Sequence, residues 1–137
     1  MKILTTNDLI TKSERAASSS LLREHTLLHS NHSEKVQRLI ISMAKGSYVA
    51  PHYHDYPGAS WEMFVVLNGV VLFTLYEVDG AIANQRALGD KQEARAIVVN
   101  RGEIHSVSCI SDFASLLEVK EGPFDPEFAK FFPNWSS

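Results

Sequence analysis

One cysteine, Cys109, stands in the whole chain. That scarcity excludes an intrachain disulfide and a structural zinc site built on several thiolates. There is no excess of positive charge either. The net charge is -3 and the 13 Lys and Arg are scattered, so neither a nucleic-acid stripe nor a polybasic membrane patch is present. No run approaches the roughly 20 apolar residues a membrane-spanning helix needs. The opening MKILTTNDLI is too short in apolar residues for a signal segment, and a cytoplasmic protein is expected. Internal repeats are absent, and the only biased stretch is Ser18–Ser20.

What is there is an ordinary globular balance, 45% hydrophobic and 21% charged, in 137 residues that suit one domain. Asn7 or Thr6 can cap a helix running through LITKSERAASSSLL, which the three serines weaken at its far end. From about residue 36 the pattern changes to eight short runs rich in β-branched and aromatic residues, from VQRLIIS to ASLLEVK. Turn dipeptides separate them. Asn68-Gly69 and Asp79-Gly80 are the strongest hairpin signals, because both residue types tolerate positive φ. An antiparallel sandwich or small barrel is predicted over 36–120, preceded by a helix and connecting segment (1–35). The aromatic, proline-rich tail (121–137) is expected to fold back on it or to form a dimer contact.

The stretch PHYHDYPGASWE carries the chemistry. In an extended strand His52 and His54 point to one face while Tyr53 points away. The turn-rich DYPGAS then lets the chain reverse, so that Glu62 lies beside the pair on an adjacent strand. A further strand brings His105. Three imidazoles and a carboxylate suit one divalent transition metal: iron, manganese, nickel, copper or zinc. Taken singly, each residue is more often a surface or half-buried side chain. Asp55 is the competing carboxylate, but it would point away from the imidazoles and opens a turn.

Weaker candidates surround this set. Arg38, Tyr48 and Arg86 are possible ligand-binding residues, each with a solvated or structural role as the alternative. Tyr48, Tyr53 and Glu103 are the nearby acid–base groups. His25, His29 and His32 fall in a loop-like Ser/Asn-rich stretch and read as surface residues, with an approach of His29 to the site as the lesser alternative. Cys109 reads as a small core residue.

The spacings Gly46–His52–His54, Glu62–Gly69 and Gly102–His105 resemble the two motifs of the cupin superfamily. Its jelly-roll barrels hold a metal on three His and one Glu. The gap from His54 to Glu62 is longer than in cupins generally, and Asn100 stands where a proline usually opens the second motif. A narrower resemblance, over about Arg23 to Trp135, is to the WbuC-type cupin metalloproteins. It rests on His-x-His, Trp-Glu, Gly-x-x-His and the Lys120-Glu121-Gly122-Pro123-Phe124 segment. Genes for those proteins lie in bacterial O-antigen and related polysaccharide clusters. The resemblance therefore implies a homodimeric cupin acting on a sugar or sugar-nucleotide intermediate, as an isomerase or epimerase. A metal-dependent oxygenase and a non-catalytic small-ligand module are the alternatives.

Overall fold

The computed structural model describes residues 1–136. One helix, α1 (Thr6–Ala17), precedes nine strands: β1 (Arg23–Leu27), β2 (Val36–Ala44), β3 (Tyr48–His52), β4 (Trp61–Asn68) and β5 (Val70–Tyr76), then β6 (Ile82–Gly89), β7 (Ala96–Asn100), β8 (Ile104–Cys109) and β9 (Phe113–Glu121). The helix is capped by Thr5, one residue before Thr6 and two before Asn7. The hydroxyl of Thr5 accepts the Asp8 N–H at 3.2 Å and the Asp8 carboxylate accepts the Thr5 N–H at 2.7 Å, a reciprocal capping box. It stops at the serine run, where the Ser19 hydroxyl accepts the Arg23 N–H and donates to the Ala16 carbonyl. Such local bonds compete with helix continuation.

All eight expected strands form. The ninth, β1, falls in the stretch read as a loop, because REHTL has no apolar alternation and is held by its ladder with β2. The strands make two antiparallel sheets, in the orders β1-β2-β9-β4-β7 and β3-β8-β5-β6. Among the described residues the pairing does not close into a continuous barrel. Asn68-Gly69 is likewise not a hairpin turn, since β4 and β5 belong to different sheets; it is the corner between them. Gly69 has φ +75°, and a Cβ there would sit 2.1 Å from the Phe113 carbonyl oxygen, so no other residue fits. Asp79-Gly80 does join two paired strands, β5 and β6.

Alternation turns one face of each sheet inward. Met43, Phe64, Val66 and Leu116 meet Val71, Phe73, Val107 and Cys109 across the sandwich, with the Phe64 and Phe73 rings 5.1 Å apart. Burying these side chains is the main stabilisation, at roughly 1.5–3 kcal/mol each for the large ones. Cys109 lies in this core, as its sequence context suggests. Helix α1 covers the outer face of β1 and β2, burying Ser13 and Ala16. No helix among the described residues is long and apolar enough to cross a membrane.

Beyond β9 the chain passes a short 3-10 turn at Pro126–Phe128 and runs along β3. Tyr53 and Phe131 exchange two backbone hydrogen bonds of 2.9 Å, and their rings stack. Trp135 donates its indole N–H to the Val78 carbonyl at 2.8 Å and packs on Tyr76. Phe128 and Phe132 remain exposed.

Candidate metal centre

His52 ends β3 and His105 lies on β8, directly opposite in the ladder. Their rings are 4.4 Å apart. A register shift between Val49 and His52, across Ala50 and Pro51, turns both of these side chains to the interior. Proline is tolerated there because β3 is an edge strand. His54 lies two residues past the strand end, so its position does not come from strand alternation. The tail holds it instead: the Tyr53–Phe131 bridge pins the backbone, and His54 Nδ1–H donates to the Ala129 carbonyl at 2.6 Å.

Glu62 does not come from a strand neighbouring β3, as the sequence suggests. It starts β4 in the facing sheet and reaches across the interior. Its Oε2 lies 3.0 Å from His54 Nε2 and 3.3 Å from His105 Nε2. One ligand atom from each of His52, His54, Glu62 and His105 falls within 4.8 Å of all the others. Asp55 takes no part; it pairs at the surface with Arg101 at 2.8 Å.

The hydrogen bonds settle which imidazole nitrogen faces the centre. His52 Nδ1–H donates to Ala50 at 2.8 Å, His54 to Ala129 at 2.6 Å, and His105 to Glu103 at 3.0 Å, each to a backbone carbonyl. Every Nε2 is thereby left to face inward, the arrangement that orients metal-binding imidazoles. His54 Nε2, His105 Nε2 and Glu62 Oε2 are buried without a hydrogen-bond partner among the described residues. Lone pairs on neutral imidazoles and on a carboxylate repel at 3.0 Å unless a cation lies among them. Protonating all the rings is a poor remedy, because burial and the neighbouring His105 push His52 down to about 3. For Glu62, burial favours the neutral acid, but His105 and His54 outweigh it and hold the carboxyl well below its usual range. The donor set fits a divalent transition metal.

The cluster opens on a cavity of about 310 Å³ between the sheets. Its wall carries residues that the sequence pattern passed over. Glu118 and Lys120 on β9 face inward beside Glu62, with Lys120 Nζ 3.6 Å from Glu118 Oε1. Burial pushes the Glu118 carboxyl up to about 8, against the pull of Lys120 and with help from Glu62. Lys130 of the tail and Arg23 and His25 of β1 also line the cavity. His29 does too, and it is buried rather than on the surface. A signal for Glu118 and Lys120 was present: they share a strand face with Leu116, two and four residues on.

Arg38, Tyr48 and Arg86 are not brought to this cavity. Arg38 pairs with Glu34 at 3.2 Å on the outer side of β2, while its neighbours Gln37 and Leu39 point in. Tyr48 is exposed beside inward-facing Val49, and Arg86 lies exposed on β6. Among the proposed acid–base groups, Tyr53 stacks on Phe131 and Glu103 accepts the Asn100 N–H at 2.7 Å.

Residues 4–88 match the family described as Domain of unknown function (DUF6016). This chain belongs to that family. The DUF6016 match includes His52, His54 and Glu62 but ends before His105 and Glu118. Comparison with the curated proteins returns no match. Solved structures similar in fold include a cupin superfamily protein (DSY2733) from Desulfitobacterium hafniense DCB-2, with 16% identity and TM-score 0.56 over 72% of this chain and 76% of that one. Oxalate oxidase in complex with the substrate analogue glycolate has 16% identity and TM-score 0.63, over 85% of this chain and 57% of that one. CapF with the inhibitor 3-isopropenyl-tropolone has 19% identity and TM-score 0.66, over 83% of this chain but 32% of CapF. At these identities the likeness shows the cupin fold alone.

Proposed function

We propose that this chain is a metal-dependent cupin protein whose centre, formed by His52, His54, Glu62 and His105, binds a small oxygen-rich ligand in the cavity beside it. The observation that carries this is the common orientation of the imidazoles: each Nδ1 is tied to a backbone carbonyl, and two orphaned Nε2 atoms meet the Glu62 carboxylate. A metal held there supplies Lewis-acid polarisation of a ligand oxygen. The chain's own residues do the rest. The two sheets exclude water, the tail orients His54, and Glu118 with Lys120 stand on the same wall to give and take a proton. The ligand class is a sugar or sugar nucleotide of bacterial surface-polysaccharide synthesis, and the reaction an isomerisation or epimerisation in the cytoplasm. Support for that finer reading is the WbuC-type pattern of His-x-His, Trp-Glu, Gly-x-x-His and Lys-x-Gly-Pro-Phe. Small ligands also accompany two proteins of this fold, glycolate in oxalate oxidase and 3-isopropenyl-tropolone in CapF.

The test is elemental analysis of protein purified without added metal, followed by reconstitution. One transition metal per chain is expected, with a lower melting temperature after chelation because binding to the native state stabilises it. No metal before or after reconstitution sinks the proposal. Screening sugar nucleotides then separates enzyme from binding module, since a non-catalytic module binds without turnover. We further propose a homodimer, because exposed Phe128 and Phe132 leave apolar surface on the tail. A light-scattering mass that stays at the monomer value across concentration counts against it.

A further inference from the structure

His29 differs from the three clustered imidazoles in which ring nitrogen carries the proton. Its Nδ1 lies 3.0 Å from the Arg38 backbone nitrogen and 2.9 Å from the Arg38 carbonyl oxygen. One ring atom cannot donate and accept at once. The Arg38 carbonyl already accepts the Leu28 N–H at 2.8 Å, on the β1 side of β2. The N–H and C=O of one strand residue point to the same side, so the Arg38 N–H also faces β1, where His29 Nδ1 is its acceptor. Nδ1 therefore accepts, and in the neutral ring the proton sits on Nε2. That Nε2 is buried and finds no partner among the described residues, while the residue, 6% exposed, lines the cavity. Leaving a buried donor unmatched costs about 1–3 kcal/mol, which is a reason to look for its acceptor in a ligand.

Its place in the sheet says which part of a ligand it meets. Gln37 stands opposite Lys120, and Lys120 opposite Glu62, so one inward-facing row runs from the metal ligands across β4, β9 and β2. His29, bonded to Arg38, ends that row. Three strand spacings put it about 14 Å from Glu62, backbone to backbone. We infer that His29 is the second anchoring point of the cavity, its Nε2–H donating to a carboxylate or phosphate oxygen at the far end of an elongated ligand. Lys120, midway along the row, favours the negative sign. The inference adds a substrate class to the proposed metal reading and rests on it only for the near end of the ligand.

The test has two arms. The first reads the tautomer of the metal-free protein from nitrogen–proton correlations of isotope-labelled histidine. A proton on Nε2 of His29 supports the assignment, and a proton on Nδ1 overturns it, whether or not the protein takes up metal. The second measures binding of acetate, adipate, suberate and butyl phosphate to the manganese-loaded protein by calorimetry. His29→Asn keeps an oxygen for the Arg38 N–H but lacks the far nitrogen. It should weaken one of the long dianions or the phosphate ester at least about tenfold, as for a lost hydrogen bond to a charged oxygen, and leave acetate unchanged. His29→Gln, whose amide reaches the Nε2 position, should restore part of the loss. Unchanged affinities for every probe in His29→Asn overturn the anchoring role. Loss of acetate binding as well, with manganese retained, overturns it by showing a general disturbance of the cavity.

Discussion

The interior of this sandwich has two ends built from the same strands. On β4 the inward face runs Glu62, Phe64, Val66; on β9, Lys120, Glu118, Leu116; on β8, His105, Val107, Cys109. Over about 7 Å per two-residue step, each strand passes from charged or ligating to fully apolar. At the apolar end Val66, Phe73 and Leu116 are all at or below 1% exposed and hold the sheets together. The polar end spends that stability on unmatched atoms, three of them in the metal cluster and one on His29. Alternation decides which face a residue occupies. The change of residue type along one face decides where the protein has a core and where it has a site.

The largest effect separating the two ends should come from the core. Phe73→Ala is expected to lower stability by about 3–5 kcal/mol while the folded variant still takes up metal. Denaturant midpoints and metal content check this, and metal lost from a folded variant would merge the two ends. At the polar end, Glu62→Gln should weaken metal binding by more than roughly 100-fold, beyond the 10–100-fold of an indirect support. The metal-free variant should also be less stable, because a carboxyl held well below its usual range is one whose charged form the fold favours. A competition assay with a chelating dye measures the first, thermal unfolding the second.

A smaller effect concerns pH in the metal-free protein. Glu118 is raised from 4.5 to about 8, so between those values the folded state keeps a proton that the unfolded chain has released; stability falls as pH rises. His52 is lowered from 6.5 to about 3, so there the unfolded chain binds the extra proton and stability falls as pH falls. The slopes oppose each other from 4.5 to 6.5, and above 6.5 Glu118 is left alone of the pair. Stability should then drop by about 1–2 kcal/mol toward pH 8, and Glu118→Gln should flatten that limb. Urea midpoints across pH decide it; an unchanged limb in the variant means another group is responsible. The smallest effect belongs outside both ends. Asp55→Asn breaks an exposed pair with Arg101 and should cost less than about 1 kcal/mol, with metal affinity unchanged. Loss of metal in this variant would return Asp55 to the ligand set.

Local pattern alone determined a good deal. Eight of the nine strands, the mainly β class, the helix and the burial of Cys109 follow from alternation, turn dipeptides and composition, which act over a few residues. The set His52, His54, Glu62 and His105 was also legible, because the spacings Gly46–His52–His54, Glu62–Gly69 and Gly102–His105 resemble the cupin motifs. Tertiary structure alone decided how that set meets. Asn68-Gly69 turns a corner instead of closing a hairpin, which puts Glu62 on the opposite sheet. A carbonyl 75 residues away, on Ala129, orients His54. Strand β1, with its weak pattern, forms because β2 offers it a ladder, and that places His29, two residues past its end, in the cavity. Pairing of distant backbone depends on which edges remain free once the sheets pack, and no run of a few residues contains that information.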